Sequence, residues 1–207
     1  MLISRRALMG FAAAALAFGF APDAQAKIVD TEAAMTELVT GKADAPVEII
    51  EYASLSCPAC QHFHANVYPV IKKEYIDTGK VKFIFRDFPT NSPGLAAAMI
   101  ARCAGPERHQ GMVDIFFDTQ QQWGRAENPL QALTMVARMA GLGPNDVDQC
   151  IRNADLMNGI QEIARKANKE MGVNATPTVF VAGEKVEHAM EVDKLKAAID
   201  EALKAAQ

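Results

Sequence analysis

Cys57 and Cys60 are separated by Pro58 and Ala59, where an apolar run gives way to helical periodicity. A thiol at a helix start faces unpaired backbone N–H groups and the positive end of the helix dipole. Both favour the thiolate, the nucleophilic form of cysteine. The second cysteine, three residues on, shares that helix face and lies close enough to close a small disulfide ring. The chemistry expected is dithiol–disulfide exchange. Cys57, nearer the helix start and more exposed, is the expected nucleophile. Cys60, one turn in and more buried, would attack the mixed disulfide that Cys57 forms. Pro58 suits the first helical turn, where its missing N–H costs no hydrogen bond.

A C-x-x-C can instead hold a metal, and His62 and His64 follow closely enough to complete a quartet of ligands. Residues two apart on a helix point about 160–200° away from each other, so the four cannot converge unless the helix unwinds. Both histidines are expected on the surface or in a groove, and no metal site is assigned. His109 and His188 are isolated and receive no role.

The elements that must position the thiols follow from pattern. Residues 47–53 read as a mostly apolar, central strand, 54–56 as a turn, and 57–75 as a helix with Phe63, Val67, Val70 and Ile71 on one stripe. Residues 81–88 are a second strand, so the unit is βαβ with parallel strands. Residues 90–172 hold no convincing strand and are divided into helices by Gly105-Pro106, Asn128-Pro129 and Gly143-Pro144. Strand character returns at 178–182, 185–189 can pair back, and 192–206 is a closing amphipathic helix with Leu195, Ile199 and Leu203 inward. Thr31 is a candidate cap for a small helix in the 27–46 lead-in. The layout is α/β, thioredoxin-like with an inserted all-helical domain: 27–89 with 173–207, and the insertion at 90–172.

The ends and the charge bound the setting. Arg5 and Arg6, an apolar run at 7–20 too short to span a bilayer, and Ala24-Gln25-Ala26 read as a secretory signal over 1–26. The periplasm is the expected compartment, by the general or the twin-arginine route. Without those residues, which include Arg5, Arg6 and Asp23, 19 basic and 24 acidic side chains remain, a net charge of −5. That balance suggests neither nucleic acid nor a membrane surface as partner. Four cysteines in an exported chain favour disulfides. Helix spacing selects Cys57–Cys60, which leaves Cys103–Cys150 as a structural bridge, with a second redox-active pair as the sharper alternative. Met99, Met112, Met135, Met139, Met157 and Met171 are mostly at helical spacing and are expected to fill the core.

Residues 51–60, EYASLSCPAC, followed by Phe63, resemble the active-site segment of the DsbA family of periplasmic disulfide oxidoreductases. Residues 172–181, GVNATPTVFV, resemble that family's cis-proline loop and the strand after it. The resemblance implies that Pro177 is cis and packed against Cys57, and that the Thr176 backbone, with Pro177, Pro58 and Ala59, meets an extended peptide substrate. It makes Glu51 the acidic residue beneath the site, relaying a proton to and from Cys60; read alone, Glu51 could be a strand-end residue facing water. Ala59 stands where the commonest pattern has histidine, so Cys57 is expected to be a less extreme thiolate and the chain a weaker oxidant than the strongest members.

The implied activity is a disulfide oxidase without bound cofactor, acting on reduced, unfolded exported proteins. A DsbB-type membrane quinone oxidoreductase would reoxidise it. The alternatives are a reductase or isomerase of the same fold, and a periplasmic Cu or Zn binder using the two thiolates. Superfamily isomerases have an N-terminal dimerisation domain; residues 27–46 are too few for one, so a monomer is expected.

Overall fold

The computed structural model describes residues 28–206; the segment read as a secretory signal, 1–26, lies outside them. Five strands form one sheet in the order β1-β3-β2-β4-β5. They are β1 (Val39–Thr40), β2 (Val47–Ala53), β3 (Val81–Asp87), β4 (Thr178–Val181) and β5 (Glu184–Lys185). Strands β2 and β3 are parallel, Glu51 opposite Phe85. Strand β4 runs antiparallel to β2, with Glu51 opposite Val179.

Side chains alternate across a strand, so each face of the sheet has its own core. Ile49, Phe83, Phe85, Val179 and Val181 face the main core, which also takes in Cys60 and Phe63. Ile50, Tyr52, Ile84 and Phe180 face a smaller cluster with Ala167 and Val173.

The first helix, α1 (Thr31–Ala34), is capped by Asp30 rather than by Thr31. The helix expected over 57–75 is broken. It comprises α2 (Pro58–Asn66), α3 (Tyr68–Ile71) and a π-helical turn at Lys72–Ile76. Pro69 has no N–H with which to continue the ladder, and it opens α3. Between β3 and β4 come α4 (Ser92–Cys103), α5 (Pro106–Asp118), α6 (Gln120–Trp123), α7 (Pro129–Met139), α8 (Pro144–Arg152) and α9 (Ala154–Met171). Met112, Trp123 and Leu133 from these helices join the same core as the sheet. Helix α10 (Val192–Ala205) closes the chain with Leu195 and Ile199 buried.

Two further expectations fail locally. The strand expected at 185–189 shrinks to β5, because the chain turns away by His188, which has φ 60°. Met135 and Met139 do not fill the core: they are 65% and 69% exposed, on the side of α7 opposite Leu133, Val136 and Ala137. Among the described residues, no helix is long and apolar enough to cross a membrane.

Candidate active site

The end of β2 delivers the site. After Ala53 the chain turns, Cys57 N–H bonding back to the Ser54 carbonyl at 3.0 Å, and Cys57 then caps α2. Ser54 is buried and its hydroxyl lies 3.0 Å from that of Ser56. Helix α4 presses on this turn at Gly94, where a Cβ would stand 2.5 Å from Ser56 Oγ.

Cys57 is half-buried and Cys60 is fully buried; both are thiols, the reduced member of the couple. Pro58 and Ala59 between them are exposed. The Thr176–Pro177 bond is cis, and the Cys57 thiol donates to the Thr176 carbonyl at 3.3 Å. A hydrogen bond from the Cys60 thiol, helped by the Thr176 side chain and the backbone N–H groups of Cys60 and Ala59, draws Cys57 from 9.0 down to about 5. Partial burial of Cys57 works against that shift. A value of about 5 lies between the about 7 of thioredoxin and the about 3.5 of the strongest oxidant of this fold. Ala59 thus contributes through its backbone, where a histidine would act through its ring. Cys60 moves the opposite way: burial, then its hydrogen bond to Cys57 and the nearby Glu51 charge, push its thiol far up. One sulfur is therefore a ready nucleophile and leaving group, and the other holds its proton.

Glu51 is fully buried in the centre of the sheet, so it does not face water at a strand end. Its Oε2 is 2.8 Å from His64 Nε2. His64 is therefore not a surface residue: only 4% of its side chain is exposed, and its ring stacks on Phe117 with centroids 4.3 Å apart. A signal for this was present in the sequence. His64 is four residues after Cys60 and beside Phe63, on the buried stripe that runs to Val67 and Ile71. His62 is exposed and bonded to Asn66. Among the described residues, no three histidines, cysteines or carboxylates converge as metal ligands.

Gln120 escaped the sequence reading. Its side chain is 3% exposed, and its Nε2 donates to the carbonyls of Leu55 at 2.7 Å and Cys57 at 3.0 Å. No pattern marks the first residue of the four-residue helix α6 as a clamp on a distant turn. Away from the thiols, Cys103 and Cys150 form a disulfide that joins α4 to α8.

A helix-start dithiol against a cis-proline loop, on a sheet of this order, places the molecule in the thioredoxin class. A family model described as Thioredoxin matches residues 33–201. Alpha-DsbA1 of Wolbachia pipientis is 32% identical, superposes with a TM-score of 0.74, and is matched over 83% of this chain and 92% of that one. Disulfide bond formation protein D of Bacillus subtilis is 26% identical over 174 residues, 80% of this chain and 77% of the relative. A Rickettsia prowazekii protein bearing a protein-disulfide oxidoreductase name is 31% identical over 172 residues, 81% of this chain. The chain spans 60% to 64% of the length of the Rickettsia relatives it matches. The chain belongs to the DsbA family of the thioredoxin superfamily.

Proposed function

We propose that the protein is an exported thiol:disulfide oxidoreductase that introduces disulfides into reduced, unfolded exported proteins. The observation that carries this reading is the placement of the two thiols: Cys57 half-buried at the start of α2 and 3.3 Å from the Thr176 carbonyl, Cys60 fully buried one turn in, an arrangement that draws Cys57 down to about 5 and pushes Cys60 far up. A stabilised Cys57 thiolate favours the reduced pair, and a pair that favours reduction takes electrons from its partners.

A substrate thiolate attacks Cys57 Sγ, the Cys57–Cys60 bond breaks, and Cys60 leaves and is protonated. A second substrate thiolate attacks the mixed disulfide, the substrate disulfide forms, and Cys57 departs as the thiolate. Two electrons have passed from substrate to protein. The Thr176-Pro177 loop, with exposed Pro58 and Ala59, offers an edge on which an extended peptide can lie. Reoxidation falls to a membrane quinone oxidoreductase of the DsbB type. The reactive atoms are the two sulfurs, with no bound cofactor, and the protein acts as a monomer in the periplasm. The Cys103–Cys150 bridge has a structural role.

The test is to mix the oxidised protein with a reduced, unfolded peptide carrying two cysteines and follow free thiols. The reading requires stoichiometric oxidation of the peptide, its loss in Cys57→Ser, and a trapped mixed disulfide in Cys60→Ser. A peptide left reduced by the intact oxidised protein contradicts it.

A further inference from the structure

Each cycle of reduction and reoxidation gives Cys60 a proton and takes one away, yet Cys60 has no exposed surface. Burial and the Glu51 charge hold it in the thiol form, so a bare thiolate is disfavoured there. Glu51 alone only moves the problem: it too has no exposed surface, and its Oε1 has no partner. The other oxygen, Oε2, is bonded to His64 Nε2 at 2.8 Å. The His64 ring reaches from that carboxylate to the wall of a groove of about 570 Å³ between α2, α3 and α5. Its Nδ1 is buried and has no partner. Phe117, Phe85 and Tyr68 fix the ring plane, with centroids 4.3, 5.8 and 5.0 Å away.

We propose that His64 relays the Cys60 proton, through Glu51, between the buried dithiol and the groove. The proposal rests on the dithiol-exchange reading. When Cys60 becomes the nucleophile, its S–H bond breaks and Glu51 Oε1 takes the proton. The proton held between Oε2 and Nε2 settles on Nε2 in the same movement, and the ring releases another from the buried Nδ1 towards the groove, so the carboxyl ends protonated on Oε1. No electron moves in this step. The ring is left protonated on Nε2, which is the form needed to return a proton to Cys60 when the disulfide is next reduced. One outward and one inward transfer per turnover restore the starting tautomer.

Other ionisable groups face the ring from several sides. Strand β2 presents Glu51. Helix α3 presents Tyr68, with Lys72 beyond it at the groove. Helix α5 presents Asp114 and Asp118, and α2 itself carries Cys60 and exposed His62. From β3, Phe85 touches the ring; behind it burial draws His109 down to about 4, neutral at working pH.

The Cys57–glutathione mixed disulfide, followed by stopped flow from acid to mildly alkaline pH, reads the attack of Cys60 as glutathione release. In His64→Gln, which keeps a hydrogen-bonding partner for Glu51 but cannot pass a proton, release slows by about 100-fold and becomes simply proportional to hydroxide. Alkylation of Cys57 is unchanged, and in His64→Ala added imidazole restores release. Release in folded His64→Gln that matches the parent in rate and pH profile overturns the proposal. Should both variants fail to fold, nitrogen NMR of His64 in the parent protein decides. Different titration curves in the oxidised and reduced forms support the relay, and identical curves overturn it. A parent protein that releases no glutathione at all defeats the exchange reading itself, whereas a parent that releases it alongside an unaffected variant defeats only the relay.

Discussion

The Cys57 sulfur lies 3.3 Å from the carbonyl oxygen of Thr176, a residue 119 positions further along the chain. Everything between them, including the six helices from α4 to α9, serves to return the chain to that point. The contact couples the Cys57 sulfur, the proposed nucleophile, to the loop on which a peptide is proposed to lie. Occupancy of the loop and reactivity of the thiol therefore depend on the same few atoms.

Cys57 should be alkylated by iodoacetamide with a half-maximal rate near pH 5, while Cys60 stays unreactive until the protein unfolds. The pH profile of alkylation, with peptide mapping, checks both. A midpoint near 9.0, the ordinary thiol value, would remove the basis for the thiolate.

The same shift carries a stability signature. The folded-state value of Cys57 is depressed, so its contribution is present above the unfolded value of 9.0 and is lost as pH falls through about 5. Cys60 keeps its proton in the folded state throughout and ionises in the unfolded chain only as pH approaches 9.0, so it adds slope only at the top of that window. The oxidised protein has no such contribution from either sulfur. Urea midpoints of the reduced and oxidised forms should therefore diverge in favour of the oxidised form as pH is lowered from 9.0 towards 5. A constant gap contradicts the assignment.

Gln120→Ala should destabilise the protein by about 1–3 kcal/mol, because the Leu55 carbonyl loses its donor within the fold. The Cys57 carbonyl loses its Gln120 bond too, so proteolysis should cut first near the turn before α2. Unfolding curves with limited proteolysis check this. Stability equal to that of the parent would mean that the clamp is incidental.

Arg102 in α4 pairs with Asp87 at the end of β3, each side chain 2% exposed, and also donates to the Ala34 carbonyl at 3.0 Å. Arg102→Met should cost about 3–5 kcal/mol, since it leaves a buried carboxylate uncompensated. Adding Asp87→Asn should recover much of that loss. Chemical denaturation of the three variants checks the sign of the recovery.

Replacing Cys103 and Cys150 together by alanine opens a loop of sequence separation 47 and should cost about 4 kcal/mol. The alkylation midpoint of Cys57 should not move. A displaced midpoint would make the bridge a regulator of the first pair.

The sequence was most legible where hydrophobic pattern and punctuation agree. The runs at 47–53 and 81–87, the helices bounded by Pro106, Pro129 and Pro144, and the dithiol at a strand–helix junction all follow from periodicity and caps. Strand β1 was missed because two residues carry no pattern, and the break at Pro69 because an otherwise continuous stripe ran through it. His64 was read by the directions of its neighbours along the helix, when its place on the buried stripe decides. Gln120 left no trace, since its partners are backbone carbonyls more than sixty residues away.

The most direct measurement is the reduction potential of the Cys57–Cys60 pair in glutathione buffers, run in parallel on protein with Cys103 and Cys150 replaced by alanine. The account predicts a value of about −120 to −200 mV in both, above the glutathione pool and fit to donate a disulfide. A value near the about −270 mV of thioredoxin would make the protein a reductant and contradict it.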